Sequence, residues 1–208
     1  MAYLLLKSKL ALELPKISRA LDRAEKTLPS SVQPIAHHIF AAGGKRLRPL
    51  LTILTAHLLG YTQNDCYDLA CTLEMLHAAT LLHDDIIDMA PVRRGKPAAH
   101  TVFSVTETIL AGDALLAHGN ALVSGFANPD LSLCYANATR ETCAGEISEI
   151  TAQRDPTVSY ETYLEIIRGK TAKLISAACE MGAVLAQAPH NLVQACAEYG
   201  ENIGIAFQ

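Results

Sequence analysis

The chain has 208 residues, of which half are hydrophobic, 5% are aromatic and none is Trp. The apolar residues are mostly Ala and Leu, which favour helices, whereas the aromatic residues that favour strands are scarce. This composition predicts an all-α fold. The formal net charge of −4 and the pI near 6 argue against a general nucleic-acid-binding protein, which would carry a basic face.

Apolar residues recur with helical spacing along the whole chain, and no segment is predicted to be a strand. Gly and Pro residues mark the breaks between helices. Helices are predicted at about residues 3–26, 31–42, 49–60, 64–89, 104–126, 129–153, 159–187 and 191–207. Because no linker or repeat interrupts this pattern, a single helical-bundle domain over residues 1–208 is expected.

The six cysteines form no Cys-x-x-Cys pair and lie in helical patterns. They are interpreted as reduced, buried thiols of a cytoplasmic protein. The N-terminal segment lacks a basic region before its apolar residues, so an amphipathic first helix is expected rather than a signal peptide. No stretch reaches the roughly 18 uninterrupted apolar residues of a spanning helix, so no transmembrane segment is expected.

The segment Asp84-Asp85-Ile86-Ile87-Asp88 lies late in the long fourth helix. Asp84 and Asp88 are four residues apart, so both carboxylates project from one helix face, whereas Asp85 is rotated by about 100°. Mg²⁺ prefers one or two carboxylates, with phosphate oxygens and water completing its octahedron. The spacing therefore indicates a site for a metal-bound phosphate ligand. The alternative is an exposed acidic helix end.

Two basic clusters accompany the aspartates, one at Lys45–Arg48 and the other at Arg93–Lys96. Guanidinium groups bind phosphate oxygens through paired hydrogen bonds. Two basic clusters and one acidic cluster predict two anionic substrates and at least one metal ion. The simpler interpretation of each basic cluster is a solvated surface patch. His77 lies two helical turns before Asp84 on the same face, and its alternative is a core histidine bonded to a carbonyl.

Several segments together resemble the trans-isoprenyl diphosphate synthases, in particular the bacterial octaprenyl-like branch with medium and long products. They occur in the family's order from about Gly43 to Gln208: GGKRLRP, EMLHAATLLHDDIID, RRGKPAAH, GDALLA, AGEISEI, YLEIIRGKTAKLISAACEMGA and YGENIGIAFQ. The resemblance implies an isoprenoid-synthase-type all-α bundle around a central cavity, usually as a homodimer.

The resemblance also implies a role for each matching residue. Asp84 and Asp88 would bind Mg²⁺ together with an allylic diphosphate. That diphosphate would also be contacted by Arg93, Lys170, Thr171 and Gln208. Isopentenyl diphosphate would be bound by Lys45, Arg48, His77 and Arg94. Family positions of structural or uncertain role are matched by Gly112, Asp113, Glu146 and Tyr163.

The implied activity is the Mg²⁺-dependent head-to-tail (1′-4) condensation of isopentenyl diphosphate with an allylic diphosphate. Side chains lean toward the helix N-terminus, so Ala79 and Thr80 are expected to lie beneath the reacting end of the substrate. Both are small, which predicts room for a medium or long product. The alternative is that they only permit close helix packing and that another helix closes the floor.

The family's second aspartate-rich motif follows the segment that matches GIAFQ, and the sequence ends at Gln208. A bundle that is incomplete at its C-terminus is therefore expected, folded and able to bind diphosphate but nearly inactive alone. Glu149 stands where close relatives usually carry Gln, which adds negative charge near a site for anions.

Two other functions are weighed against this one. Glu74-x-x-His77 has the form of half a di-iron site, but such a site needs two such pairs plus two further glutamates, and no second pair occurs. The other is a non-catalytic diphosphate-binding subunit or remnant that needs a partner chain. The absent second motif favours that function, whereas the intact first motif and both basic clusters favour an enzyme.

Overall fold

The computed structural model describes residues 2–153 and 155–208, with side chains from Ala11 onward. Its helices are α1 Ala2–Thr27, α2 Gln33–Ala41, α3 Leu47–Leu58, α4 Asp65–Ile87, α5 Ala99–Val102, α6 Val105–Ser124, α7 Pro129–Ala152, α8 Tyr160–Ile167, α9 Lys173–Leu185 and α10 His190–Phe207. The predicted all-α fold is confirmed.

The helices form two compact units, each of which is described by itself. Unit 1 comprises the chain up to Leu50 together with Tyr67–Gly125, and unit 2 comprises Leu51–Cys66 together with Phe126–Gln208. The expectation of a single domain over residues 1–208 stays a prediction.

In unit 1, α4 is apolar around most of its circumference, and most of its side chains from Tyr67 to Leu82 are buried. A helix of this kind belongs in a core. Helix α1 has buried side chains with helical spacing, at Ile17, Ala20, Leu21 and Ala24, and Cys71 Sγ of α4 donates to the Ile17 carbonyl at 3.8 Å. Polar contacts join the same two helices, with Tyr67 donating to Glu13 at 2.5 Å and Arg23 pairing with Asp68 at 2.6 Å. These contacts join α1 to the first turns of α4.

Two short strands and a short helix separate α4 from α6, so the prediction of no strand is wrong at this point. Strand β1 (Val92–Arg93) pairs antiparallel with β2 (Lys96–Pro97). Arg94 and Gly95, between them, both have positive φ (50° and 76°), as two-residue hairpin turns of type I′ require. Strands of two residues are too short to show an alternating pattern in the sequence.

In unit 2, α9 is buried along nearly its whole length and packs against α7 and α10. The predicted continuous helix over 159–187 is interrupted, because Arg168–Ala172 forms a π-helical segment between α8 and α9. Short π segments inside helices are frequent at functional sites. The segment carries Lys170 and Thr171, both of which the sequence marks as substrate-binding residues.

The cysteine prediction is only partly correct. No disulfide links the cysteines of the described residues, and Cys66, Cys71, Cys134 and Cys179 are buried. Cys143, however, is exposed on α7, and Cys196 is half-buried. Burial therefore does not follow from residue type alone. Among the helices of the described chain, none has the length and apolar content needed to span a membrane.

Candidate active site

The aspartates lie at the C-terminal end of α4. The helix ends at Ile87, yet the Asp88 N–H still bonds the Asp84 carbonyl at 2.8 Å, so the two carboxylates remain one turn apart. Asp84 is half-buried and Asp88 is exposed, whereas Asp85 is only 1% exposed. The helix dipole disfavours negative charge at this end, and the last turn carries no basic residue. The three carboxylates therefore need cations from outside the helix.

Arg93 of strand β1 supplies one of these cations. Its Nε donates to Asp85 Oδ1 at 2.7 Å, and its Nη2 contacts the same oxygen. The hydrogen bond that Arg93 donates to Asp85 raises the pKa of Arg93. Burial opposes this effect, and the charges of Asp85, Asp84 and Asp88 reinforce it. The second oxygen of Asp85, Oδ2, is buried without a hydrogen-bond partner among the described residues. The Asp85 carboxylate is thus bound to Arg93 and does not share the helix face of Asp84 and Asp88.

The hairpin turn brings the two basic clusters together. A Cβ atom at Gly44 would lie 2.7 Å from Nη1 of Arg94, so the guanidinium rests directly on the Gly44 backbone. Further bonds fix the hairpin to the end of α2: Lys96 donates to the Ala41 carbonyl at 2.8 Å, and His38 bonds the Pro97 carbonyl at 2.8 Å. Lys45, next to Gly44, is exposed.

Arg48 and His77 lie deeper in the same cluster. Burial lowers the pKa of Arg48 to about 10, an effect that Glu74 opposes and Arg94 reinforces. Burial also depresses the pKa of His77 well below its usual value, and the nearby charges of Arg48, Arg94, Arg93 and Arg46 add to the effect. His77 is therefore a neutral imidazole at pH 7. It offers a hydrogen bond without adding to the positive charge.

Arg46 differs from its neighbours in this basic segment. Its Nη1 donates to Glu74 at 2.5 Å and its Nη2 donates to the Phe40 carbonyl at 2.7 Å. Glu74 is buried, so this ion pair ties the loop before α3 to the middle of α4. The pair also engages Glu74, the residue that the di-iron alternative required as a metal ligand.

His83 explains the Gly112–Asp113 segment. Its Nε2 lies 3.1 Å from the Ile109 carbonyl and 3.6 Å from Asp113 Oδ1 on α6. A Cβ atom at Gly112 would fall 2.3 Å from His83 Nε2, so only glycine leaves room for the ring. Gly112 therefore has a packing role, which fixes the residue just before Asp84.

The predicted residues of unit 2 form a cluster of their own. Lys170 contacts Glu146 at 3.1 Å and also pairs closely with Glu149. Thr171 donates to Gln208 Oε1 at 3.0 Å. A cavity of about 260 Å³ is lined by Glu149, Ala152, Gln153, Val158, Tyr163, Ile166, Ile167, Lys170 and Gln208. Lys170, Thr171 and Gln208 are thus neighbours in space although 37 residues separate the last two.

Ala79 and Thr80, the predicted chain-length residues, lie on α4 in unit 1. Ala79 is fully buried, and Thr80 donates its hydroxyl to the His77 carbonyl at 2.9 Å. Both positions remain small, as the prediction needs. Complete burial of Ala79 also fits the alternative of close helix packing, so the chain-length role stays a prediction.

The donor set fits Mg²⁺. In the described part of the chain, no group of three or more His, Cys, Asp or Glu residues is arranged to hold a metal ion. Mg²⁺ does not need such a cage, since it is commonly held by one or two carboxylates and by substrate phosphates. Asp84 and Asp88 supply two carboxylates, and Asp85 is engaged by Arg93.

Ion pairs between distant segments are what the sequence interpretation missed. Three of the site's charged residues are held by carboxylates: Arg93 by Asp85, Arg46 by Glu74, and Lys170 by Glu146 and Glu149. Sequence separations of 8, 28, 24 and 21 residues leave no local pattern for most of these pairs. Only the i, i+3 spacing of Glu146 and Glu149 on one helix face signalled that two carboxylates could share a partner.

Comparison with known proteins agrees with this architecture. The sequence profile of the family described as Polyprenyl synthetase matches residues 29–208. The crystal structure of a decaprenyl diphosphate synthase from Rhodobacter capsulatus is similar, with a TM-score of 0.91 and 38% identity over 97% of this chain and 63% of that one. Fold and profile together place the chain among the all-α isoprenoid synthases. The chain belongs to the polyprenyl synthetase family.

Further relatives carry related names. A Geobacillus stearothermophilus protein named "Heptaprenyl diphosphate synthase component 2" is 35% identical, over 94% of this chain and 61% of its own length. The octaprenyl diphosphate synthase of Escherichia coli K12 is 30% identical, over 85% of this chain and 55% of its own length. A polyprenyl synthase from Caulobacter crescentus CB15, crystallised with calcium and isoprenyl diphosphate, has a TM-score of 0.90 and 37% identity over 97% and 62%. The chain spans less than two thirds of the length of each of these relatives.

Proposed function

We propose that the protein is a polyprenyl diphosphate synthase that joins isopentenyl diphosphate to an allylic diphosphate in a Mg²⁺-dependent, head-to-tail (1′-4) reaction. The observation that carries the proposal is the C-terminal end of α4. Asp85 is neutralised there by Arg93, while Asp84 and Asp88 remain one turn apart and partly or fully exposed. An acidic pair beside fixed guanidinium groups suits a metal-bound diphosphate.

In the proposed mechanism, Asp84 and Asp88 would hold the metal, and Arg93 binds the allylic diphosphate beside them. Bound Mg²⁺ would stabilise negative charge on the departing diphosphate. Arg93 stabilises the same charge from a position that Asp85 fixes before the substrate arrives, so little reorganisation is needed. The allylic carbon–oxygen bond breaks, the double bond of isopentenyl diphosphate attacks the resulting cation, and released diphosphate takes the proton. The resemblance assigns Lys170, Thr171 and Gln208 to the allylic diphosphate as well.

The second substrate, isopentenyl diphosphate, is assigned to Lys45, Arg48, His77 and Arg94. Arg94 rests on Gly44 and lies near the half-buried Arg48, so the charges of two separate sequence segments converge. His77 is kept neutral among these arginines and can form a hydrogen bond at low cost in desolvation. A small anion is the ligand that best relieves the mutual repulsion of such a cluster.

Two names among the relatives support this proposal. The Caulobacter crescentus structure holds calcium and isoprenyl diphosphate, and the Escherichia coli relative is an octaprenyl diphosphate synthase. The Geobacillus stearothermophilus name includes the word "component", which keeps a subunit that needs a partner chain as the second candidate. We also propose a cytoplasmic protein.

A second copy of the chain is the proposed partner. In unit 1, the start of α6 and the preceding α5 expose large apolar side chains: Val102, Val105, Ile109 and Leu110. Val105 and Ile109 are one turn apart on one face, as a helix-packing surface requires. The resemblance to a homodimeric family gives the identity of the partner. Sedimentation velocity distinguishes a dimer from a monomer.

The test of the proposed function is titration of the purified chain with a short allylic diphosphate, with and without Mg²⁺. Saturable binding that appears only with Mg²⁺ is the expected result. Absence of binding under both conditions would overturn the proposal. Turnover is then followed as incorporation of labelled isopentenyl diphosphate, which separates an active synthase from a binding subunit.

The two basic clusters are expected to serve different substrates. Lys45→Ala and Arg48→Ala should weaken the binding of isopentenyl diphosphate more than that of the allylic substrate. Arg93→Ala should weaken the binding of the allylic substrate more. Loss of one charged hydrogen bond costs about 1.5–3 kcal/mol, or roughly 10- to 150-fold in affinity. Calorimetric titration of each variant with each substrate gives the comparison. Arg19→Ala, an exposed cation on α1, is the control. If every variant weakens both substrates alike, the two-site assignment is wrong.

The proposed product is longer than fifteen carbons, because Ala79 and Thr80 are small and would leave room for a longer chain below the acidic end of α4. The expected result of Ala79→Phe, made in the product of the complete coding sequence, is a clear shift to shorter chains, measured by chromatography. Because Ala79 is fully buried, Ala79→Leu, a smaller enlargement, controls for general disruption of packing. An unchanged product distribution in an active, folded variant would place chain-length control elsewhere.

A further inference from the structure

Lys170, which the proposed function assigns to the allylic diphosphate, is held by two carboxylates in unit 2. Its Nζ lies 3.1 Å from Glu146 and makes a closer contact with Glu149. Burial lowers the pKa of Lys170, but the hydrogen bonds and charges of Glu149 and Glu146 outweigh burial and raise it overall. Lys170 is therefore firmly protonated, and both of its acidic neighbours come from α7.

Backbone packing holds Lys170 against those glutamates. A Cβ atom at Gly145 would lie 2.3 Å from the Lys170 backbone nitrogen, and one at Gly169 would lie 2.8 Å from Gly145 Cα. The π-helical segment thus touches α7 backbone to backbone, one residue before Glu146. The packing of the backbone therefore sets the contact between Lys170 and the glutamate face of α7, which does not depend on a flexible surface side chain.

The charge around Lys170 is unfavourable for an anion. The basic residues that flank Lys170 in the sequence, Arg168 and Lys173, both pair with Glu201, at 2.9 and 2.7 Å. Lys170 with Glu146 and Glu149 carries a net charge of −1. Of the two glutamates, only Glu149 lines the 260 Å³ cavity that Lys170 and Gln208 also line. A diphosphate that reaches Lys170 from this cavity therefore also meets Glu149.

We infer that Glu149 competes with the allylic diphosphate for Lys170, so that substrate binds there only by displacing the Glu149 carboxylate. This inference rests on the proposed function and adds a residue that sets the affinity of the site. Glu146 is only 14% exposed and keeps its bond to the ammonium, whereas Glu149 is 31% exposed and can turn away. A phosphate oxygen then takes the place of the Glu149 oxygen on Nζ.

Glutamine at this position would remove the competition without changing side-chain length. The bond of the amide to the ammonium is weaker than that of a carboxylate, so a phosphate oxygen displaces it more readily. Neutralisation of Glu149 should therefore tighten diphosphate binding by on the order of tenfold, which corresponds to about 1.4 kcal/mol. Neutralisation of Glu146, which does not line the cavity, should have a smaller effect.

The experiment titrates the purified chain and its variants with inorganic pyrophosphate in the presence of Mg²⁺. Glu149→Gln is expected to bind on the order of tenfold more tightly than the parent chain. Glu161→Gln, an exposed glutamate on α8, controls for the change in net charge and should bind like the parent. The gain from Glu149→Gln should vanish when Lys170→Ala is also present, because the two residues act on each other.

The outcomes separate this inference from the proposed function. If the parent binds pyrophosphate and loses it in Asp84→Ala, but Glu149→Gln binds no more tightly, Glu149 does not compete and the inference is overturned alone. A gain in Glu149→Gln that persists with Lys170→Ala also overturns it, since the effect would then be one of general charge. If the parent and all variants fail to bind pyrophosphate, both the inference and the proposed function are wrong.

Discussion

Replacement of Asp84 or Asp88 by Ala is expected to abolish Mg²⁺-dependent binding of an allylic diphosphate. Each substitution removes one of the two carboxylates that are proposed to hold the metal at the end of α4, beside the pair of Asp85 and Arg93. Mutation of an outer-shell residue of a metal site already lowers metal affinity or activity about 10- to 100-fold, so loss of a direct ligand should lower it by more than about 100-fold. Calorimetric titration with and without Mg²⁺ measures the effect.

Asp68→Ala provides the matched control for these variants. It removes a carboxylate from the same helix about 24 Å away along the axis, where its partner is the exposed Arg23. Binding by this variant should equal that of the parent chain. Equal binding by Asp84→Ala, Asp88→Ala and the control would contradict the assignment of the metal site.

Separation of Asp85 from Arg93 is expected to lower the free energy of unfolding substantially. Asp85 is 1% exposed, and removal of either partner of a buried pair leaves a charge without its counterion, which costs about 3–5 kcal/mol. Because Arg93 is 29% exposed, a value of about 2–3 kcal/mol is expected for each single Ala substitution. The double variant should cost little more than either single one.

Urea unfolding of the parent, Asp85→Ala, Arg93→Ala and the double variant measures this coupling. An interaction energy below about 0.5 kcal/mol would show that the pair contributes nothing to stability. In the titrations, Asp85→Ala should weaken diphosphate less than Asp84→Ala does. The weakening should arise because Arg93, released from Asp85, turns toward the neighbouring Asp84 and Asp88, whose charges already raise its pKa. Asp85→Asn, which keeps an acceptor oxygen for Arg93, should lie between the parent and Asp85→Ala.

The all-α class and most helix positions followed from the sequence because helical periodicity is a local property. The capping box at Ser104 and Glu107, for example, begins α6 where the pattern predicts it. The prediction failed where an element is too short to repeat its own period. Strands β1 and β2, the short α5 and the π-helical segment each span only two to five residues.

The sequence by itself also predicted which residues carry the chemistry, and it determined which of them share a helix face. The turn from Asp84 to Asp88 and the two turns back to His77 follow from 3.6 residues per turn. His77 and Asp84 lie within α4, and the Asp88 N–H, just past its end, bonds the Asp84 carbonyl. Spacing along one helix does not depend on the rest of the molecule. The same argument separated Asp85 from Asp84 before its partner was known.

Only the tertiary structure decided which charge meets which. The pairing of Asp85 with Arg93, of Glu74 with Arg46 and of Glu149 with Lys170 depends on how distant segments pack. The hairpin turn at Arg94–Gly95 and the backbone contact at Gly145 help to bring the paired residues together, and neither feature produces a periodic pattern in the sequence. Charge and burial of a site residue are set by its neighbours in space, so the neutral state of His77 and the carboxylates around Lys170 emerge only when the chain is folded.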